Sequence, residues 1–334
     1  MPDQGGARQS RIPITSLDAI TERLSGGAVA VGNFDGVHLG HRHLLDLTIA
    51  DARARGVPAV VVTFEPHPRT IFQPDKPVFR LTPLPSKARL LTAFGFDGLV
   101  VIPFDRALAG QGAADFVSDI LVDRLAISAI FIGYDFHFGR NREGSPDFLR
   151  RAGAEHHFGV DVVQPVLEQG QEPYSATRIR DALAEGDIVN ANRLLGYRWF
   201  VTGVVQPGDR RGRELGFPTA NIRLAPDCRL RHGIYAVRLT AADGVVRDGV
   251  ASYGRRPTFD DGPPLLEVHV FDFQGSLYDQ DVVVSFVSWL RGEERFDSAD
   301  ALVRQMNDDA AEARRVLQSA GPGNQVDQAL NEVA

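Results

Sequence analysis

Cysteine, lysine and long apolar stretches are all scarce in this chain. Cys228 is the single cysteine in 334 residues. It excludes an internal disulfide and any metal site built on paired cysteines. No apolar run approaches the ~18 residues that a membrane span needs, and the opening MPDQGGARQS holds no hydrophobic signal segment. The expectation is a cytoplasmic protein with no membrane partner. Lysine occurs only as Lys76 and Lys87, and every other basic residue is arginine. Neither lysine follows a glycine, so the phosphate loop G-x-x-x-x-G-K is absent. G-x-G-x-x-G, H-E-x-x-H and G-x-S-x-G are absent as well.

Charge is not concentrated either. The 36 basic and 43 acidic residues give a net charge of -7, spread evenly over both halves. A nucleic-acid partner, which needs a basic excess or stripe, is not expected. Hydrophobic residues make up 43% of the chain, enough for two cores, and at ~150 residues per domain the length suggests two domains.

The first half alternates apolar runs with amphipathic segments. Strands are expected at 28–34, 58–64, 98–104, 128–132 and 160–167. Helices are expected at 40–55, 86–94, 113–125 and 147–156. This is the pattern of a parallel α/β sheet, whose ligands bind at the carboxyl ends of the strands. From Trp199 the helical period stops. Five strand-like runs follow, at 199–205, 234–239, 245–251, 265–273 and 282–289, separated by Gly, Pro and Asp turns. They predict an antiparallel β domain with a terminal helix that starts near Asp297, which is placed to cap it, and ends near Gln318. The expected organisation is 14–187, 188–318 and a polar, disordered tail over 319–334.

Four segments of the first half carry chemistry. Gly32-Asn33-Phe34-Asp35-Gly36-Val37-His38-Leu39-Gly40-His41 reads as strand, tight turn and helix start. Its glycines let backbone N–H groups approach a ligand, and the helix N-terminus adds partial positive charge. His38 and His41 share one side of the first turn, which suits a polyphosphate and charge building on an α-phosphate. Two capping or surface histidines are the plainer alternative. In Tyr174-Ser175-Ala176-Thr177-Arg178-Ile179-Arg180, Ser175 and Thr177 suit a helix cap. Arg178 and Arg180 oppose the dipole of that first turn, and make sense facing an anion. Gly133-Tyr134-Asp135-Phe136-His137-Phe138-Gly139 could stack a purine or flavin ring, or plug the core. In Glu65-Pro66-His67-Pro68 the rigid X-Pro steps fix a loop, and His67 is either ligand or loop hydrogen-bonder.

Together and in this order, GNFDGVHLGH, TFEPHP, GYDFHFG and SATRIRDAL resemble the adenylyltransferase half of the bacterial bifunctional riboflavin kinase/FAD synthetase family. The resemblance implies a Rossmann-like H-x-G-H nucleotidylyltransferase domain that transfers AMP from ATP to FMN, giving FAD and pyrophosphate. Gly32, Phe34, Asp35 and Gly36 would hold ATP, with His38 and His41 acting on its phosphates. His67 and Asp135 would help bind nucleotide or flavin. Ser175, Thr177 and Arg180 would meet the leaving pyrophosphate, and Arg178 would help bind the nucleotide or flavin. Ala176 stands where the family motif has a second serine, so one hydroxyl donor is missing.

In the second half, GVVQPGDRRGRELGFPTAN (203–221) is a long glycine- and proline-broken loop. Thr219 and Asn221 offer neutral oxygens two apart, which project to one side if extended and suit Mg²⁺, or else cap a turn. Along Leu265-Leu266-Glu267-Val268-His269-Val270-Phe271, Leu266, Val268 and Val270 point one way and Glu267, His269 and Phe271 the other. Glu267 is a candidate general base for an alcohol, or part of a solvated face. LGFPTANI, HGIYAVRL, GVASYGRRPTF, LLEVHVFDF and SLYDQDVVVSFVSWLR resemble the riboflavin kinase module of the same family. That implies an antiparallel β-barrel that phosphorylates riboflavin with MgATP. Thr219 and Asn221 would hold the metal, and Glu267 would take the proton of the ribityl hydroxyl. The 208–216 loop would close over the phosphates with Gly208, Gly212, Arg213, Gly216 and Pro218. Gln206-Pro207 and Asp279 depart from the family pattern, the latter at a turn where glycine is frequent.

The expected function is therefore two steps, riboflavin to FMN and FMN to FAD, with ATP, riboflavin and FMN as partners and Mg²⁺ as cofactor. Two alternatives remain at this point. One is a nucleotidylyltransferase for another small phosphate, against which the second half argues. The other is a riboflavin kinase whose first domain has weakened into a flavin- or nucleotide-binding regulator. Oligomeric state, a homo-oligomer included, is left open by the sequence.

Overall fold

The computed structural model describes residues 10–168, 172–208, 216–255 and 264–333. The chain divides between Ser175 and Ala176 into two compact units.

The first unit runs β1 (Ile14–Ser16), β2 (Ala28–Val31), α1 (Leu39–Arg55), β3 (Ala59–Glu65), α2 (Pro68–Phe72), α3 (Leu84–Phe94), β4 (Gly98–Pro103), α4 (Arg106–Gly110) and α5 (Ala113–Asp115). The last of these continues as a π-helical segment, Phe116–Arg124. Then come β5 (Ala129–Gly133), α6 (Pro146–His156), β6 (Gly159–Val163) and the two-residue strands β7 (Leu167–Glu168) and β8 (Glu172–Pro173). The main sheet has the order β1-β4-β3-β2-β5-β6, with every pair parallel. The chain winds outward from β2 to β3 and β4, then returns to place β5 on the other side of β2. That reversal makes the crevice beyond the carboxyl ends of β2 and β5 the expected ligand position. Two of the sequence motifs, GNFDGVHLGH and GYDFHFG, follow those two strands.

Burial explains the strands. All four residues of β2 and the first five of β3 are buried, as a parallel sheet covered on both faces requires. Helix α1 stops at Gly56, whose φ of 69° places it in the left-handed region while its N–H returns to Ala52 and Arg53. The short edge strand β1 was not expected from the sequence. Three residues without clear alternation leave no signal.

The second unit opens with α7 (Ala176–Glu185) and α8 (Ile188–Leu195). The strands are β9 (Phe200–Val204), β10 (Ala220–Arg223), β11 (Gly233–Thr240), β12 (Val246–Gly254), β13 (Leu265–Val270) and β14 (Asp281–Arg291). Helices α9 (Ala299–Ser319) and α10 (Gln325–Glu332) end it. The strand order is β10-β13-β12-β11-β14-β9, antiparallel throughout. The two edges meet where the Gln206 N–H donates to the Asn221 carbonyl at 2.9 Å, so the sheet is a nearly closed barrel. Tyr235, Phe286, Val284, Leu266 and Val268 are wholly buried. Asp279, at the turn where the resemblance implies glycine, takes a left-handed conformation itself (φ 61°), which Asp tolerates better than most residues. The turn persists, and its N–H still donates to Val205.

Three expectations need correction. Helix α9 is capped by Ser298, whose hydroxyl accepts from the Ala301 N–H at 3.2 Å, and not by Asp297. Helices α7 and α8 count with the barrel unit, whereas the sequence reading placed α7 in the first domain. Arg231 explains the association of α7, because its backbone N–H donates to the Leu183 carbonyl at 3.0 Å and its guanidinium to the Glu185 carbonyl at 2.7 Å. Finally, the segment beyond Gly321, expected to be disordered, forms α10. A capping box between Asn324 and Asp327 starts that helix, and Leu330 and Val333 are buried. Arg198 donates to the carbonyls of Ala320, Gly321 and Pro322, and Arg238 donates to that of Leu317. The polar composition hid these anchors, since two apolar contacts and a set of capping bonds suffice to order eight residues.

Deleting the chain from Gly321 onward is expected to lower the stability of the barrel unit by roughly 3–5 kcal/mol, from the lost apolar burial and capping bonds. Both tryptophans, Trp199 and Trp289, lie in that unit. A urea titration followed by tryptophan fluorescence therefore reads the loss directly, and an unchanged midpoint would refute a structural role for α10.

Candidate functional sites

In the first unit the turn after β2 is unusual in its backbone. Phe34, Gly36 and Val37 all have positive φ (44°, 80° and 40°). A β-branched valine there is strained, and such strain concentrates at functional turns. Asp35 holds the turn in place. Its buried carboxylate accepts from the backbone N–H groups of Leu81 and Thr82 at 3.2 and 3.0 Å. The Gly36 N–H donates to the Thr82 hydroxyl at 2.8 Å. Phe34 is buried beneath the bare Gly32, where a Cβ would sit 3.1 Å from its ring.

The turn delivers the chain into α1. No side chain caps that helix and no acidic residue stands in its first turn, so its N–H groups and dipole are presented to an anion. His38 is the N-cap residue, and its ring stacks on His41 with centroids 3.7 Å apart and planes 16° from parallel. A Cβ on Gly40 would meet the His38 ring at 3.1 Å, so glycine makes room for the stack. Burial first, then His38 and Lys87, hold the His41 imidazole well below the ordinary histidine range. It is neutral at pH 7, with a buried Nδ1 that has no hydrogen-bond partner. A neutral His41 over an open helix N-terminus can donate to a phosphate oxygen without repelling the ring stacked on it.

The other predicted positions of this unit divide. His67 is the N-cap of α2, where its Nδ1 accepts from the Arg69 N–H at 3.2 Å. Asp135 is exposed, and its carbonyl accepts from the His137 ring at 2.8 Å. Its aromatic neighbours are not all available to a ligand. Phe138 is buried and packs on Phe116, Phe136 and Phe148, which is the core-plug reading. Tyr134 is 49% exposed. Ser175 ends the first unit, whereas Thr177, Arg178 and Arg180 lie on α7 of the second. Ala176 is the first residue of that helix.

Sequence reasoning missed the charged group under the turn. Glu65, at the end of β3, makes a two-pronged pair with Arg80 at 2.7 and 2.5 Å. Lys87 on α3 is wholly buried and donates to the Asn33 carbonyl and the Thr63 hydroxyl. A signal was present. In a chain that uses arginine almost everywhere, a retained lysine in an apolar helix marks a place where arginine does not fit.

In the barrel unit the register brings the second set together. Asn221 on β10 stands directly opposite Glu267 on β13, and Glu267 stands opposite Ser252 on β12. These residues share one face of three adjacent strands. Leu266, Val268 and Val270 are buried, while Glu267 and His269 are half-buried on the other face. Phe271, beyond the strand end, is buried in the cluster beneath α9. Asn221 is 5% exposed, and its Oδ1 is buried without a hydrogen-bond partner. The sequence pattern predicts loop up to Asn221, because the four residues of β10 between a glycine-rich stretch and a turn show no period.

Gly208 lies against the Asn221 amide, where a Cβ would be 2.4 Å from Nδ2. Gly216 has φ 88° and open space around it. The exposed Pro218 supplies a carbonyl that accepts from His269 Nδ1 at 3.0 Å. A carbonyl can only accept, so that bond places a proton on Nδ1. Thr219 is half-buried two residues before Asn221. Gly212 and Arg213 lie outside the described residues.

Comparisons with known proteins follow the same division. Residues 20–178 match the FAD synthetase family, and residues 195–317 match the riboflavin kinase family. The Escherichia coli K12 protein named bifunctional riboflavin kinase/FMN adenylyltransferase is 39% identical over 289 residues, covering 86% of this chain and 92% of its own. Its Pseudomonas fluorescens namesake is 42% identical over 290 residues, with the same coverage. The Haemophilus influenzae one is 38% identical over 306 residues, covering 92% and 99%. The chain belongs to the bifunctional riboflavin kinase/FMN adenylyltransferase family.

Family membership accounts for the two-unit architecture. A solved structure from Streptococcus pneumoniae superposes with a TM-score of 0.77 at 29% identity, covering 92% of this chain and 99% of that one. It is named a macrolide-efflux protein, a description that belongs to that protein. Among the described residues here, no helix is long and apolar enough to cross a membrane.

Proposed function

We propose that this chain makes FAD from riboflavin in two ATP-dependent steps, each with its own set of residues. It is a riboflavin kinase and an FMN adenylyltransferase. The reading rests on one observation above all: both family segments retain a built site, the stacked His38/His41 pair over an open helix N-terminus and the Asn221–Glu267 pair across the barrel.

In the kinase step the ribityl 5′-hydroxyl oxygen attacks the γ-phosphorus of ATP. Its proton passes to the Glu267 carboxylate, and ADP leaves. Thr219 and Asn221 would hold Mg²⁺. The orphaned Asn221 Oδ1 suits such an ion, being a hard neutral oxygen. Among the described residues no cluster of His, Cys, Asp and Glu could hold a metal by itself, which fits an ion that arrives with the nucleotide. When bound, the ion supplies charge neutralisation on the phosphates. Gly208 brings the backbone against Asn221, and Gly216 and Pro218 would border the phosphates; Gly212 and Arg213, expected with them, lie outside the described residues.

In the adenylyl step an FMN phosphate oxygen attacks the α-phosphorus of a second ATP, and pyrophosphate leaves. Gly32, Phe34, Asp35 and Gly36 shape the turn. His38 and His41 donate to the phosphates as charge builds on them. Ser175, Thr177 and Arg180 would receive the pyrophosphate, while His67, Asp135 and Arg178 would border the nucleotide or flavin. Neither step needs a covalent enzyme intermediate, because positioning and electrostatics suffice for in-line displacement.

The test is a chromatographic time course of flavins with riboflavin, ATP and Mg²⁺, repeated from FMN. FMN is expected first and FAD after it, with FAD also formed from FMN. FMN accumulating with no FAD from either start would leave the kinase alone and favour the regulator reading of the first unit. Within the kinase, Gly208→Ala is expected to displace the Asn221 amide and slow riboflavin phosphorylation about tenfold or more, with FMN-to-FAD conversion unchanged. An unaffected kinase rate in that variant would remove the Gly208–Asn221 contact from the site.

A further inference from the structure

Lys87 has no part in the chemistry described so far, yet it is the least exposed charged side chain in the first unit, with 0% of its surface accessible. Its ammonium reaches from α3 to the carboxyl ends of β2 and β3. There it donates to the Asn33 carbonyl at 2.6 Å and to the Thr63 hydroxyl at 3.1 Å, and the Thr63 hydroxyl also donates to Asn33 at 3.2 Å. Asn33 is the last residue before the three positive-φ positions of the turn. A carbonyl fixed there fixes the plane from which the turn departs, and so the placement of His38 and His41 one step later.

The position is costly to occupy. A buried ammonium is tolerated only where its hydrogen bonds are made and its charge is balanced. The groups facing it are Glu65 from β3, with Oε1 at 4.0 Å, Asp35 from the turn, Arg80 from the segment before α3, and His41 from α1. Arg80 is itself committed to Glu65. The lysine meets the backbone that carries the site.

We propose that Lys87 is a positioning residue for adenylyl transfer: its buried ammonium holds the Asn33 carbonyl and thereby sets the turn that presents His38 and His41 to the nucleotide phosphates. This rests on the reading of that turn as the adenylyltransferase site. Burial and Arg80 lower the Lys87 pKa to about 8, against the smaller opposing effects of Glu65 and Asp35. The charged anchor is thus present below about pH 8 and is lost as the pH rises through that value.

The test measures FMN-to-FAD and riboflavin-to-FMN rates on the full chain across pH 6.5 to about 9.5, for the wild type, Lys87→Met, Lys87→Arg and His38→Ala. Wild-type FAD formation is expected to fall on an alkaline limb near pH 8 that riboflavin phosphorylation lacks. Lys87→Met is expected to lower kcat for FAD formation about 10- to 100-fold, the effect of a misplaced site. It should also flatten the limb, with riboflavin phosphorylation unchanged and the melting temperature equal or higher. A parallel loss of melting temperature and activity would mean a merely structural lysine and overturn the proposal. Lys87→Arg keeps the charge and is expected to move the limb upward in whatever activity it retains. A limb that stays put in Lys87→Arg, or FAD formation within twofold of wild type in Lys87→Met, also overturns it. His38→Ala separates the two levels. If FAD formation survives that change, the site reading fails; if it is lost while Lys87→Met is active, only the role of Lys87 fails.

Discussion

Glu267→Gln is expected to reduce riboflavin phosphorylation by about 10²- to 10⁴-fold, the range for loss of a general base, while FMN-to-FAD conversion by the same protein stays within twofold. The geometry makes the substitution clean. Glu267 lies mid-strand on β13, with its neighbours on both sides fixed by the register to Asn221 and Ser252. A carboxamide has nearly the same shape, so the strand and the buried Leu266 and Val268 beside it keep their packing. What disappears is the anionic oxygen that accepts the ribityl proton as the hydroxyl attacks. The plain alternative is that Glu267 belongs to a solvated face, in which case the glutamine variant would phosphorylate riboflavin at the normal rate. Two assays on one preparation, riboflavin to FMN and FMN to FAD, distinguish these outcomes. An equal loss of both activities would refute separate sites. Because FAD formation monitors the other unit, a selective loss cannot be explained by a protein that failed to fold throughout.

The two sites were legible in the sequence to different depths, for reasons of periodicity. The loop GNFDGVHLGH could be placed because a fully apolar strand precedes it and a 17-residue helix follows. Its flanks announced the strand–turn–helix geometry that the phosphate reading needs. The alternation along β13 put Glu267 on the correct face. The partner strand β10 is four residues long, too short to show a period, so the facing of Asn221 and Glu267 became visible only through the register. Asp35 illustrates another limit. A carboxylate beside a phosphate-binding turn reads as a ligand, yet its oxygens accept from Leu81 and Thr82, some 46 residues away in sequence. Long-range side-chain-to-backbone bonds leave no trace in local pattern. The same holds for Lys87, and for the Arg198 and Arg238 contacts that order the end of α9. In GYDFHFG the sequence allowed stacking platform and core plug alike, and the structure divides the motif, with Phe138 inside and Tyr134 outside.

His38→Ala with His41→Ala is expected to stop the reaction sequence at FMN. FAD formation should fall about 10²- to 10³-fold, the scale of removing preorganised donors from a developing charge, while riboflavin phosphorylation continues. The rings act as one unit, because they stack at 3.7 Å and His41 is braced edge-on by Phe34 at 5.3 Å. Removing either ring lets the other leave its place, so each single change should cost nearly as much as the pair, and the effects should not add. Independent donors would instead give losses that multiply. The protonation of the pair adds a second check. Burial, His38 and Lys87 keep His41 neutral well below the usual histidine titration, and a neutral ring is the form that donates without repelling its stacked partner. The kcat/KM of the wild-type adenylyl reaction, which reports the free enzyme, should therefore show no acid limb from His41 near ~6.5, the ordinary histidine value. An inflection there that persists in the residual activity of His38→Ala would mean that His41 works as a cation. Continued FAD production by the double variant would remove both imidazoles from the mechanism and leave the open N-terminus of α1 to bind the phosphates alone.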